Sequence, residues 1–208
     1  MSLAIQSLKA PALAVLIMLG IAIECGSAKA AETEKAYFAG GCFWCIEADF
    51  ERLPGVGDVI SGFTGGTTDN PTYREVTGGN TGHYEAVEIP YDPEEISYDQ
   101  LLYAFFRSVD PTDAGGQFCD RGESYRTAVF AAGGSETALA EKAKAEAQSA
   151  LGQEIVTPVL PLDEFYVAEE YHQDYEEKHP NNGYIVNVSR PKIEKVAKKF
   201  KDRLKSNE

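Results

Sequence analysis

Ala36-Tyr37-Phe38-Ala39-Gly40-Gly41-Cys42-Phe43-Trp44-Cys45-Ile46-Glu47-Ala48-Asp49-Phe50-Glu51-Arg52-Leu53 contains a short apolar run, a glycine pair and then a change of periodicity. Ala36 to Ala39 reads as a buried strand, and Gly40-Gly41 breaks it. From Cys42 onward Phe43, Ile46, Phe50 and Leu53 recur at spacings of three and four, which predicts an amphipathic helix stopped by Pro54 and Gly55. Cys42 therefore falls at a helix start, just after a glycine turn. Unpaired amides at such a start carry partial positive charge and favour a thiolate, so the position suits a nucleophilic sulfur with a lowered pKa. The competing expectation is a small buried hydrophobe, the commoner fate of a free cysteine.

Outward from this stretch the chain mixes strands and helices without a regular strand-helix-strand repeat. Val56 to Phe63 reads as a strand with glycine interruptions, and Gly65 to Gly82 as a long polar loop, a length usually tied to function or mobility. Tyr84 to Tyr91 alternates, with Val87, Ile89 and Tyr91 on one face and Glu85 on that same apolar face. Ser97 and Gln100 form a capping box ahead of a helix to about Ser108. A loop carries Cys119 and Asp120. Tyr125 to Phe130 reads as a strand, Ser135 to Leu151 as a helix closed by Gly152, and Val156 to Leu160 as a strand. Ala168 to Lys178 reads as a helix ended by Pro180. Ile193, Val196, Phe200 and Leu204 recur at helical spacing in a lysine-rich tail, most simply a solvated helix face. These elements predict one α+β domain, a two-layer α/β sandwich with a mixed or antiparallel sheet.

The 208-residue chain is 43% apolar and 25% charged, as expected of a globular protein. Its net charge of -14 disfavours nucleic-acid binding, because phosphates need basic surface. Residues 1–30 differ from the rest. Lys9 precedes an apolar run from Ala10 to Ile23, and Ala28-Lys29-Ala30 supplies a small-x-small pattern. That layout predicts a signal peptide cleaved near Ala30, and an exported, periplasmic domain over 31–208. An uncleaved anchor is the alternative. Cys25 is expected to leave with the signal, so the domain keeps Cys42, Cys45 and Cys119.

Cys42-x-x-Cys45 is a redox spacing, since residues three apart on a first helical turn can close a disulfide. It could also be half of a zinc site, but a structural site needs a second pair with similar spacing. His83, His172 and His179 form no obvious pair, so no metal is expected. A thioredoxin-type dithiol is a further alternative, although no second half of a thioredoxin-like βαβ pattern follows. Glu85 on an apolar strand face should have its pKa raised by desolvation. Its alternative is an ion pair with Arg74 or Arg126. Taken singly, Tyr73, Tyr125, Phe43 and Trp44 would be ordinary core residues, and Asp120 a turn residue.

Four segments stand in order along the chain: Gly41-Cys42-Phe43-Trp44; Asn70-Pro71-Thr72-Tyr73-Arg74-Glu75-Val76 followed by Thr81-Gly82-His83-Tyr84-Glu85; Asp120-Arg121-Gly122-Glu123-Ser124-Tyr125-Arg126; and Glu169-Glu170-Tyr171-His172-Gln173-Asp174-Tyr175. Together they resemble the peptide methionine sulfoxide reductase A family. The resemblance implies that Cys42 attacks the sulfur of methionine-S-sulfoxide in oxidised proteins or peptides and becomes a sulfenic acid. It implies that Glu85 protonates the departing oxygen while Tyr73 and Tyr125 hydrogen-bond it. Phe43 and Trp44 would wall the methyl pocket, and Asp120 would orient a nearby polar group or water. It further implies a monomer with no bound cofactor, reset by thioredoxin or another dithiol.

The chain departs from the pattern where the family commonly has glycine after the tryptophan, and no cysteine follows Cys119. Cys45 and Cys119 are both candidates to resolve the sulfenic acid as a disulfide. The rival class is an extracytoplasmic thiol-disulfide exchange protein using Cys42 and Cys45; a non-enzymatic one is a metal carrier using all three cysteines.

Overall fold

The computed structural model describes residues 33–192 and 194. Its centre is a six-stranded mixed sheet built from β1 (Glu34–Gly40), β2 (Ile60–Thr64), β3 (Tyr84–Tyr91), β6 (Thr127–Ala131), β7 (Val159–Pro161) and β8 (Tyr166–Val167). The strand order is β7-β6-β1-β3-β2-β8. Only the β6–β7 pairing is parallel; the others are antiparallel. A separate small hairpin joins β4 (Gly116–Gln117) to β5 (Asp120–Arg121). The expected α+β sandwich with a mixed sheet is what the chain forms.

Helices α1 (Phe43–Glu51), α3 (Tyr98–Ser108) and α4 (Gly134–Leu151) contribute to one main core. Phe38, Phe43, Ile46, Phe50, Leu101 and Phe105 fill it, with at most 1% of any of them exposed. Burial of such side chains is worth roughly 1.5–3 kcal/mol each. A smaller cluster of Ala39, Tyr84, Ala86, Ala128 and Phe130 lies apart from it, packed by Tyr37, Leu160, Leu162 and Phe165. Strand β3 is therefore buried on both faces, where its alternation suggested one.

Three local expectations need correction. Within 65–82, taken as a loop, Tyr73–Gly78 forms helix α2, opened by a reciprocal capping box between Thr72 and Glu75. Tyr125 closes a 3-10 turn over Glu123–Tyr125, and β6 starts two residues later. The expected helix 168–178 is broken into a 3-10 turn (Glu170–His172) and a short α5 (Tyr175–Lys178). Its middle is tied to the sheet instead. Gln173 Nε2 donates to Ser61 O at 2.9 Å, the Ser61 amide donates to Gln173 Oε1 at 2.8 Å, and the Asp174 amide donates to Glu47 Oε1 at 2.7 Å. Asp174 sits at φ 54°, which no continuous right-handed helix accommodates. The apolar pattern from Ile193 to Leu204 lies outside the described residues.

Candidate active site

Strand β1 delivers the chain to Gly40-Gly41, and the turn there needs glycine. Gly41 has φ 91°, and a Cβ on it would lie 2.6 Å from Gln117 Cβ. Cys42 follows as the N-cap of α1, buried, with its carbonyl accepting from the Cys45 amide at 3.1 Å. The Phe43 amide donates to Glu85 Oε2 at 3.1 Å. One of the amides expected to steady a Cys42 thiolate is thus committed to a carboxyl group from β3.

Glu85 is 1% exposed, and its other oxygen, Oε1, has no hydrogen-bond partner among the described residues. Among the described residues neither Arg74 nor Arg126 forms an ion pair with it. Arg126 donates to Glu123 O and lies 4.4 Å from the Tyr84 ring centre. Burial pushes the Glu85 carboxyl up to about 8, opposed by the Phe43 amide and reinforced by Asp120. At neutral pH it is mostly a neutral acid with a free oxygen.

The sulfurs differ from the expectation. Burial raises the Cys42 thiol well above its usual range, helped by its hydrogen bond to Cys45 and by the charges of Glu85, Cys45 and Asp120. Cys45, also buried, is drawn down to about 7. The Cys42 S–H is the largest cause; burial opposes it, and Lys192, Tyr184 and Ser189 assist. In the resting site Cys42 holds the proton and Cys45 leans toward thiolate. The helix start does not win at Cys42 because burial and surrounding negative charge outweigh a partial positive end whose effect fades within one turn.

The walls are aromatic. Phe43 stacks at 6.1 Å on Tyr73 and lies 5.0 Å from the buried His172 ring. Trp44 lies parallel to Tyr175 at 3.6 Å and donates from Nε1 to His172 Nδ1 at 3.2 Å. Burial lowers the His172 pKa, and its Nε2 has no hydrogen-bond partner among the described residues. The Tyr73 amide donates to Glu169 Oε1 at 3.1 Å, which fixes the start of α2 beside the site. Burial, with Glu85 nearby, pushes the Tyr73 phenol up to about 12, and burial raises Tyr125 too. Both stay protonated and able to donate.

Asp120 Oδ2 accepts from the Tyr184 hydroxyl at 2.5 Å, and that hydroxyl also lies 3.4 Å from Cys45 Sγ. Cys119, next to Asp120, is exposed on the β4–β5 hairpin. The structure thus gathers Cys42, Cys45, Phe43, Trp44, Tyr73, Glu85, Asp120 and Tyr125 around the start of α1, and leaves Cys119 at the surface. Sequence reasoning gave no role to Tyr184, Tyr175, His172 or Glu169. The last three stand in the fourth signature segment. Tyr184 follows Asn181-Asn182-Gly183 and carries no local pattern.

The family model for peptide methionine sulfoxide reductase matches residues 34–204. The chain belongs to that family. Among its relatives is peptide methionine sulfoxide reductase MsrA 2 of Caulobacter vibrioides, 53% identical over 154 residues, which are 74% of this chain and 78% of that one. Among solved structures, Mxr1 of Saccharomyces cerevisiae in reduced form has a TM-score of 0.70 at 34% identity, covering 74% of this chain and 89% of that one. The same yeast protein has been solved in complex with Trx2, with a TM-score of 0.50 at 26% identity over 70% and 86% of the two chains. The chain is accordingly a peptide methionine sulfoxide reductase that reduces methionine sulfoxide through redox-active cysteine. Membership favours the reductase over the exchange protein that the Cys42–Cys45 spacing left open.

Proposed function

We propose that this reductase acts on methionine-S-sulfoxide in oxidised proteins and peptides, with Cys42 as nucleophile and Glu85 as acid. The observation that carries this assignment is a buried carboxyl with a free oxygen, held by the first amide of the helix that Cys42 opens. A sulfoxide oxygen leaves only with added protons, so the acid must be neutral when substrate binds.

Cys45 takes the Cys42 proton as Cys42 attacks the sulfoxide sulfur, and Glu85 delivers a proton to the oxygen. The S–O bond of the substrate breaks, the oxygen passes to Cys42 as a sulfenic acid, and two electrons reduce the substrate to the thioether. Tyr73 and Tyr125 donate to the oxygen without adding charge. Phe43 and Trp44 enclose the methyl group. The second step pairs Cys42 with a resolving sulfur and releases water. Cys45 is the first candidate because it stands one turn along α1 from Cys42. Exposed Cys119 is suited to pass the disulfide outward to thioredoxin or a similar dithiol. The yeast Mxr1–Trx2 complex supports a donor of that kind.

Residues 1–30 are proposed to be a signal peptide removed near Ala30, and the mature domain 31–208 to work in the periplasm as a monomer. N-terminal sequencing of the exported protein should begin at Ala31; a start at Met1 removes the export proposal. For the activity, purified protein with dithiothreitol and a methionine-S-sulfoxide peptide should release the thioether form, and Cys42→Ser should not. Equal turnover by Cys42→Ser ends the assignment.

A further inference from the structure

Lys192 and Asp49 form an ion pair at 3.1 Å, with side chains only 7% and 1% exposed. Neither charged group has a further hydrogen-bond partner among the described residues. A buried pair so poorly supported is a weak stabiliser, since both charges lose water and, apart from Arg52 acting on Asp49, regain only each other. Its position suggests another use. Asp49 lies four residues after Cys45, one turn along α1 on the same side. The segment that ends in Lys192 also carries Tyr184, whose hydroxyl is 3.4 Å from Cys45 Sγ. Lys192, at the edge of the lysine-rich tail expected on a solvated helix face, is interior.

The groups facing Cys45 can be named element by element. From α1 come Cys42 and Asp49, from β3 Glu85, from the β4–β5 hairpin Asp120 and Cys119, and from the C-terminal segment Tyr184, Ser189 and Lys192. Of these Lys192 alone is a cation. We propose that Lys192, fixed by Asp49, is a positioning residue for Cys45: it supplies the buried positive charge that lets this sulfur give up its proton and displace oxygen from Cys42. The inference rests on the proposed Cys42 chemistry and assigns the second step to Cys45. In that step Cys45 Sγ attacks Cys42 Sγ, an S–S bond forms, the S–O bond breaks, and the oxygen leaves as water with the proton that Cys45 held. Cys42 is reduced from sulfenic acid to disulfide sulfur as Cys45 is oxidised. The fall of the Cys45 pKa to about 7, caused first by the Cys42 hydrogen bond and in part by Lys192, is in keeping with this role.

The test is a single turnover on a methionine-S-sulfoxide peptide without external reductant, followed from pH 6 to 9. Thioether release reads the first step. Mapping of disulfides and of trapped sulfenic acid by mass spectrometry reads the second. Lys192→Met should slow Cys42–Cys45 disulfide formation about tenfold at pH 7 and raise its pH midpoint by about one unit. Lys192→Arg should restore both. Because Lys192→Met strands the Asp49 charge, the double variant Lys192→Met, Asp49→Asn is measured beside it, and it should be equally slow. The proposal is overturned if either neutral variant forms the disulfide at the original rate and midpoint. It is also overturned if thermal stability and both steps fall together with the midpoint unmoved, or if Cys42–Cys119 forms first. Absence of thioether release from the unmodified protein contradicts the Cys42 reading instead.

Discussion

The two ends of α1 surround a buried carboxyl with different partners. At its start Glu85 has one amide and no cation, and burial drives it to about 8. One turn beyond Cys45, Asp49 has a cation and little else. Burial raises both carboxyls; at one end it is opposed chiefly by the Phe43 amide, and at the other by the Lys192 ammonium. The difference teaches how one short helix can present an acid and an ionisable sulfur side by side. The environment of each group, rather than its residue type, sets which form it takes at neutral pH.

The largest break in this comparison comes at the substrate end. Glu85→Gln keeps the Phe43 hydrogen bond and removes the acidic proton. The expected loss in the rate of thioether formation is about 10² to 10⁴-fold, read in a single turnover. A loss below about threefold would show that another group protonates the oxygen. The same variant sharpens the comparison through stability. A carboxyl raised from 4.5 to about 8 in the folded state favours folding below pH 4.5. That contribution is lost as pH climbs through about 8. Denaturation midpoints of the unmodified protein should therefore fall relative to Glu85→Gln across that window; parallel curves would mean that Glu85 is not perturbed.

At the paired end, Asp49→Ala leaves Lys192 buried alone and should cost about 3 to 5 kcal/mol in urea unfolding. A cost under 1 kcal/mol would mean that the pair opens to water. The smallest effect is expected for Tyr184→Phe. The hydroxyl has one proton to share between Cys45 and Asp120, so its removal should raise the Cys45 pKa by about half a unit. Thiol alkylation followed against pH would show it, with Glu85-dependent behaviour unchanged. A shift at the Glu85 end instead would join the two ends that the comparison separates.

Much of this arrangement was legible in the sequence because it follows local rules. Phe43, Ile46 and Phe50 set the helix, Gly40-Gly41 the turn, and the alternation from Tyr84 to Tyr91 put a carboxylate on the core side of a strand. Signature segments gathered Tyr73 and Tyr125. The capping box at Thr72 and Glu75 was equally local, but the polar glycine-rich setting around it favoured a loop. Other features were not local. The helix expected across 168–178 gives way because Gln173 and Glu47 offer Ser61 and Asp174 better partners across the fold. Tyr184 and Lys192 reach the site only because the C-terminal segment passes over α1. The protonation of Cys42 depends first on burial, then on the neighbouring Cys45 and on Asp120, which is 78 positions away in the chain. No spacing near residue 42 encodes that charge balance.

One measurement bears most directly on the division of labour between the two ends: the pH dependence of first-turnover thioether formation. Below about 7 Cys45 is protonated and cannot take the Cys42 proton; above about 8 Glu85 is ionised and cannot supply one. The expected result is a narrow bell between those limbs, with Glu85→Gln losing the alkaline limb and Cys45→Ser losing the acidic one. A rate that keeps rising beyond pH 9 in the unmodified protein would contradict a neutral carboxyl at the start of α1.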